Sequence, residues 1–265
     1  MQLSIRHTTQ YAYDQPVTYT LQKVRLRPLT SDVQTVQDWS LQIDGGKVEA
    51  SYTDHYGNHV DLVSADPGTG GLTLTASGTI DTKDAAGIFG KRYGRAPLWH
   101  FRQQTLLTKP GTGIRALSKA LNGTDDMLGS LHEISAAILE AAPYRTGETQ
   151  AETTGEEALK HGFGVCQDHS HIMIGAARQA GLPARYVSGY LMLDGQIDQD
   201  ASHAWAEVHL DDLGWVGFDV SNGISPDERY VRIAIGRDAQ DAAPISGLRM
   251  GPGSESLIVS LQVQQ

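Results

Sequence analysis

The sequence predicts an α+β protein in which a β-rich N-terminal part precedes a part that mixes helices and strands. Residues 1 to about 82 contain segments that alternate apolar and polar side chains, as half-buried strands do. Beyond residue 113 the apolar residues recur at helical spacing, and strand-like runs return only after residue 183. These changes of period predict two different kinds of architecture within one chain.

The N-terminal part is predicted to be a small antiparallel sandwich. Residues 39–43 and 72–76 show the alternation most clearly, and turn-forming residues at 44–46, 56–58 and 66–68 separate such segments. We therefore expect a β-rich domain over residues 1–85, a linker over residues 86–113 that is rich in glycine, proline and aromatic residues, and a core with a C-terminal segment over residues 114–265.

The core is predicted to hold at least three helices before its strands. Apolar residues at helical spacing end before Pro143, and Thr154 begins a sequence of capping-box form. A further helix is expected to start at Cys166 and to stop at Gly181 and Pro183. Five strands are expected after this helix, over residues 184–193, 202–210, 215–220, 229–235 and 257–263.

Composition excludes some classes of function. The formal net charge is −10, which argues against nucleic acid or an anionic membrane as the main partner. There is no apolar run long enough to span a membrane and no apolar segment typical of a secretory signal at the N-terminus. A single cysteine can form no internal disulfide, so we expect a reducing, cytoplasmic location.

Cys166 is the first candidate catalytic residue. A cysteine attacks as its thiolate, and the unpaired N–H groups of a helix start favour an anion. Gly162 and Gly164 allow a substrate carbonyl to come close to the backbone. The alternative is a buried structural cysteine, which is the more common role of an isolated cysteine.

A predicted hairpin supplies a base and a carboxylate for this thiol. The alternation in residues 202–220 places Ala204, Ala206, Val208 and Leu210 on the core face of the first strand. It places His203 and Asp219 on the opposite side of the two antiparallel strands, directly opposite or diagonal to each other. A carboxylate in that position can hold one imidazole nitrogen and leave the other free to accept a proton. Together with Cys166, these residue types match a nucleophile, a base and an orienting acid.

These residues resemble the transglutaminase core of bacterial transglutaminase-like proteins. The matching segments are residues 164–169, 178–190, 202–208 and 214–219. Residues 7–13 and 25–28 resemble the N-terminal region of the same family, and residues 235–247 resemble its C-terminal segment. The resemblance implies a papain-like core with Cys166 as nucleophile, His203 as base and Asp219 as the orienting residue.

One departure from the family pattern follows the second hairpin strand. Members usually have Asp-Pro-Thr-Asn there, whereas this chain has Asp219, Val220, Ser221 and Asn222. The Asp and Asn are kept, so the resemblance implies that the catalytic role survives. The missing proline would have restricted the backbone of the loop.

Further residues are candidates for substrate binding. Trp205 and Trp215 share the predicted site face and could either wall an acyl groove or cover the sheet. Tyr144 and Gln167 are also predicted to line the cleft. Asp168 is expected to anchor the start of its helix rather than to act in catalysis.

Four functions remain open on the sequence. The first is a cysteine hydrolase that cleaves peptide or isopeptide amides through a Cys166 thioester, and the second is a protein-glutamine acyltransferase that uses an amine in place of water. A non-catalytic peptide-binding module on the same scaffold is the third. The fourth, a metal-binding protein built on Cys166, His169 and His171, is disfavoured because two helical residues two apart point in different directions.

No cofactor is required by the favoured mechanism, and no metal site is predicted. The expected partner is a peptide or protein substrate. The resemblance also implies a possible association with ATP-grasp-type peptide ligase proteins.

Overall fold

The computed structural model describes residues 1–91 and 94–265, and its N-terminal part is a sandwich of two antiparallel sheets. The first sheet has the order β3-β6-β1-β14-β9 and the second the order β13-β2-β5-β4. The strands are β1 (Gln2–Tyr13), β2 (Tyr19–Val24), β3 (Gln34–Asp44), β4 (Gly46–Thr53), β5 (His59–Ala65), β6 (Gly71–Thr82), β9 (Asp198–Gln199), β13 (Ile245–Met250) and β14 (Glu255–Gln264). Alternate residues of β1 are buried, as the sequence pattern predicts for a half-buried strand.

A third sheet and four α-helices form the core. Its strand order is β12-β8-β10-β11-β7, and its neighbouring strands are antiparallel. The strands are β7 (Ile88–Gly90), β8 (Ala184–Leu191), β10 (His203–Leu210), β11 (Gly214–Phe218) and β12 (Tyr230–Gly236). The helices are α1 (Thr112–Ser118), α2 (Met127–Ala141), α3 (Gly155–His161) and α4 (Cys166–Gln179). With the sandwich, this is the predicted α+β, papain-like transglutaminase fold.

The end of the chain returns to the sandwich, which differs from the predicted domain division. β14 pairs along β1 from Ser4 opposite Gln264 to Tyr13 opposite Glu255, and β13 pairs with β2. Strands β13 and β14 therefore complete the two N-terminal sheets instead of belonging to the core, because pairing fills an edge that would otherwise expose N–H and C=O groups.

The segment predicted as a linker also takes part in the core. Its strand β7 pairs with β11, and Phe101 within it is fully buried beside Trp215. Arg178 of α4 donates hydrogen bonds to the carbonyl oxygens of Phe101 and Ala184 at 2.9 Å each, which fastens this segment to the core. Arg92 and Tyr93, which belong to the same predicted linker, lie outside the described residues.

Helix α4 is the central element of the core. Its residues from Asp168 to Arg178 are all buried, and its apolar side packs on α1, α2, α3 and strand β10. The β10 residues Ala204, Ala206 and Val208 belong to the same apolar cluster, so the predicted core face of the hairpin is confirmed.

The helix starts are secured by side chains. Thr154 and Glu157 form the predicted capping box at α3. Glu156 of α3 accepts hydrogen bonds from the N–H groups of Gly111, Gly113 and Ile114, at 3.0 Å each, and so caps α1. None of the helices in the described part of the chain is long and apolar enough to cross a membrane.

Candidate active site

The start of α4 places Cys166 at the first helical position. The carboxylate of Asp168 accepts a hydrogen bond from the N–H of Val165 at 2.9 Å and another from the Thr149 hydroxyl at 2.8 Å. A Cβ at Gly164 would lie 2.9 Å from the Cβ of Asp168, so this turn requires glycine. Asp168 therefore anchors the residues before Cys166, as the sequence predicts.

His203 and Asp219 form a hydrogen-bonded pair at one end of the third sheet. The Nε2 atom of His203 lies 2.6 Å from Oδ2 of Asp219. Ala206 of β10 is opposite Phe218, the last residue of β11. Asp219 follows Phe218 directly and is therefore diagonal to His203 across the two segments of the hairpin. The predicted pairing of a histidine with a carboxylate is present in the diagonal form.

Two further donors fix the Asp219 carboxylate, whose side chain is inaccessible to solvent. The side-chain amide of Asn222 donates to Oδ2 at 2.7 Å, and the hydroxyl of Tyr230 donates to the same oxygen at 2.6 Å. Sequence reasoning missed Tyr230, because it lies on β12 and reaches Asp219 only through tertiary packing. A buried carboxylate that accepts hydrogen bonds from three side chains keeps its charge and its orientation.

The pair holds charges of opposite sign. Burial lowers the pKa of His203, but its interactions with Asp219 and Cys166 outweigh that effect and raise the pKa to about 10. Burial raises the pKa of Asp219, and its hydrogen bonds and the charge of His203 bring it below its ordinary value. His203 is therefore an imidazolium at neutral pH, with Nε2 committed to Asp219 and Nδ1 as its other nitrogen.

Cys166 and His203 border the same two cavities. One has a volume of about 470 Å³ and the other about 600 Å³, and Val165, Cys166, Ser202 and His203 line both. The thiol and the imidazole therefore meet at the junction of two spaces, each within the size range of ligand sites. A carbonyl group that enters from either side comes to the same sulfur.

Of the four predicted substrate-binding residues, two line these cavities. Tyr144, half exposed, borders the larger one, and Gln167 borders the smaller one. The side-chain amide of Gln167 donates to the carbonyl oxygen of Ala151 at 3.1 Å, which turns it along the cavity wall.

Trp205 and Trp215 do not line the groove. Both are fully buried in an aromatic cluster with Tyr56 and Phe101, on the face of the sheet opposite α4. Arg185 stacks over the Trp215 ring at 3.9 Å. Of the two roles considered for the tryptophans, covering the sheet is the one seen, because residues of the former linker shield that face from solvent.

His169 and His171 are engaged by the protein around them. His169 donates from Nε2 to the carbonyl oxygen of Ala142 at 2.7 Å, and its Nδ1 lies 2.8 Å from the Ser221 hydroxyl. His171 accepts the N–H of Ala239 at 3.1 Å, and burial lowers the pKa of His171 to about 3. In residues 1–91 and 94–265 no group of three or more His, Cys, Asp and Glu side chains is placed to hold a metal ion.

Two segments far from Cys166 in sequence complete the groove, and sequence reasoning found neither. Residues 239–246 contribute to the smaller cavity and residues 196–202 to the larger one. The second segment is tied to the sandwich, since Gln199 of β9 pairs with Leu261 of β14. Gln262 also donates to the Asp198 carboxylate at 2.9 Å. The sandwich thus positions the loop that precedes His203.

A cysteine at a helix start and a histidine–aspartate pair on an adjacent antiparallel sheet define the papain-like arrangement of cysteine enzymes. Residues 115–220 match the family model of the transglutaminase-like superfamily, and residues 3–81 match that of the bacterial transglutaminase-like N-terminal region. The chain belongs to the bacterial transglutaminase-like proteins.

Similar proteins cover the whole chain. It is 28% identical to the uncharacterized protein ML0607 of Mycobacterium leprae over 98% of both chains, and 28% identical to the uncharacterized protein Rv2569c of Mycobacterium tuberculosis over 98% of this chain and 90% of the relative. A crystal structure of a candidate cysteine protease from Cytophaga hutchinsonii superimposes with a TM-score of 0.79 and 21% identity, covering 100% of this chain and 90% of that one. The latter similarity shows the shared fold.

Proposed function

We propose that this protein is a cysteine-dependent hydrolase that cleaves peptide or isopeptide amide bonds through a thioester on Cys166. The observation that carries the proposal is that His203, 2.6 Å from the buried Asp219 carboxylate, lines the same cavities as a helix-start cysteine. The buried hydrogen bonds to Asp219 support its role as the orienting residue, and the raised pKa of His203 supports an imidazolium beside the thiolate.

The proposed reaction begins when the Cys166 thiol has transferred its proton to His203. The sulfur attacks the amide carbonyl carbon, and backbone N–H donors at the start of α4, including that of Cys166, stabilise the oxyanion. The C–N bond breaks as His203 gives its proton to the leaving amine, which leaves a thioester. Water then attacks the thioester with His203 as its base, the carboxylic acid departs, and the sulfur leaves as the thiolate.

Acyl transfer is the second candidate. The two cavities that border Cys166 and His203 give room for an acyl donor in one cavity and a primary amine in the other. The thioester and the roles of Cys166, His203 and Asp219 are the same in both reactions. They differ in whether water or an amine resolves the thioester.

The test is a peptide library incubated with purified protein and analysed by mass spectrometry. New termini identify hydrolysis, a gain of about one dalton identifies deamidation, and the mass of an added amine identifies transamidation. We expect one of these products from the wild type and none from Cys166→Ala, with equal thermal stability of the two proteins. Turnover retained by Cys166→Ala would overturn the proposed mechanism.

A non-catalytic peptide-binding module makes a different prediction. Its Cys166 would react with a mild alkylating agent no faster than a free thiol, and no probe would label it covalently at low concentration. The cytoplasmic location, the peptide or protein substrate and the association with ATP-grasp-type ligases stay predictions, each to be tested in the cell.

A further inference from the structure

The two cavities that meet at Cys166 and His203 share one wall and diverge from it. Beyond Val165, Cys166, Ser202 and His203 they have no lining residue in common. The smaller one runs along the start of α4 to residues 239–246, and the larger one runs along Tyr144 and residues 191–202. A chain bound with its scissile carbonyl at the sulfur therefore has a cavity to occupy on each side of that bond.

Apart from the His203 imidazolium, which is paired with Asp219, the charged side chains that line these cavities have one sign. Among the described residues that line them, Glu152 borders the smaller cavity and Asp200 the larger one, while neither lining set includes a lysine or an arginine. Both side chains are exposed, so their charge acts on whatever enters the cavities.

Nearby cations are directed elsewhere. The Arg145 guanidinium lies over the Phe163 ring at 5.2 Å, and Arg229 is paired with the Asp227 carboxylate at 2.6 Å. The imidazolium of His203 is paired with the buried Asp219. Neither Arg145 nor Arg229 lines either cavity.

This charge pattern selects between substrates. A free C-terminal carboxylate would find no lysine or arginine to pair with among the described residues of either wall, and acidic side chains would be repelled. Neutral segments are accepted, and lysine or arginine side chains are attracted. Cavities on both sides of the sulfur favour an internal bond over one at a chain end.

We propose that the groove takes an internal, neutral-to-cationic segment of a peptide chain, with Glu152 and Asp200 selecting positively charged groups on either side of the attacked carbonyl. The inference rests on the proposed function for the reaction itself. The charge selection, however, belongs to the groove and is measurable without turnover.

The first experiment uses the single cysteine as a probe of local charge. Cationic trimethylammonioethyl and anionic sulfonatoethyl methanethiosulfonate each form a mixed disulfide with the Cys166 sulfur and release methanesulfinate. The ratio of their rate constants, divided by the same ratio for 2-mercaptoethanol, cancels the intrinsic reactivities of reagent and thiol. We expect about a fivefold preference for the cation at low ionic strength that shrinks as salt is added.

Matched variants locate the source of the preference. The pair Glu152→Gln and Asp200→Asn should lower the normalised ratio at least twofold. The pair Glu133→Gln and Asp38→Asn removes the same charge from exposed positions that line neither cavity and should leave the ratio unchanged. A normalised wild-type ratio of one, or equal effects of the two variant pairs, would overturn the proposal.

The second experiment uses end-blocked peptides that differ only in lysine or glutamate flanking a central amide. We expect the lysine peptide to be turned over several-fold faster, and less so in the variant with neutral groove residues. No turnover of either peptide with a cation-preferring thiol refutes the proposed function and leaves the groove charge standing. Equal turnover of both with a normalised thiol ratio of one refutes the charge selection and leaves the function standing.

Discussion

Replacement of Asp219 by asparagine should lower the pKa of His203. The carboxylate is buried, lies 2.6 Å from Nε2 and raises the pKa of His203 to about 10 together with Cys166. Asparagine keeps the shape and an oxygen for the ring but removes the negative charge. Loss of such a partner lowers a pKa by about one to three units, and burial, which lowers the pKa of His203, is then less opposed.

The size of the effect follows from the titration. At pH 8 a histidine with a pKa of about 10 is about 99% protonated. If the pKa falls to about 7, roughly 10% remains protonated, so the fraction of His203 in the imidazolium form, which protonates the leaving amine in the proposed reaction, falls about tenfold.

The assay is the pH titration of the histidine ring signals by NMR with ¹³C-labelled histidine. The chain has ten histidines, and the signal lost in His203→Gln identifies the one of interest. We expect the His203 signal to titrate near pH 10 in the wild type and below about pH 8 in Asp219→Asn. A signal that titrates at the same pH in both folded proteins would refute the assignment of Asp219 as the charge partner.

Three further predictions concern stability. Tyr230→Phe removes the hydroxyl that donates to Asp219 at 2.6 Å while keeping the ring, and should lower the unfolding free energy in urea by about 1–3 kcal/mol. Glu156→Gln replaces an oxygen that accepts backbone N–H groups at the start of α1 by a donor, and should cost a similar amount, about 1–3 kcal/mol; no change in urea midpoint would contradict its capping role. The His203–Asp219 pair should contribute most to the unfolding free energy between about pH 4 and pH 6.5, the unfolded-state pKa values of aspartate and histidine. Above that range the contribution is lost as pH rises through the raised pKa of His203. Below it the contribution is lost as pH falls through the lowered pKa of Asp219. Chemical unfolding across pH, wild type against the His203→Gln and Asp219→Asn double variant, checks this, and parallel curves would contradict it.

The hairpin shows how far sequence reasoning reaches. Period-two alternation assigned Ala204, Ala206 and Val208 to one face and His203 to the other, and the structure agrees. The same alternation could not tell whether the second face meets solvent. Trp205 lies on that face and is fully buried, because residues distant in sequence cover it.

The division of the chain shows the opposite limit. The sequence identified β14 as a strand but not its partner, since a strand pattern reports the burial of its own faces and carries no record of the edge it joins. In the structure β14 pairs with β1, and through Gln262 and Asp198 it holds the loop before His203. The link between the sandwich and the candidate active site therefore appears only in three dimensions.

The sequence by itself determined which residue types come together in the candidate site. A glycine-flanked helix start places Cys166, and alternation across a tight hairpin puts His203 and Asp219 on one side, because both are local consequences of backbone geometry. Only the tertiary structure decided that Tyr230 donates to Asp219, that two tryptophans are buried, and that two distant segments close the groove. Those contacts depend on which apolar surfaces bury one another, and that is a property of the whole packed chain.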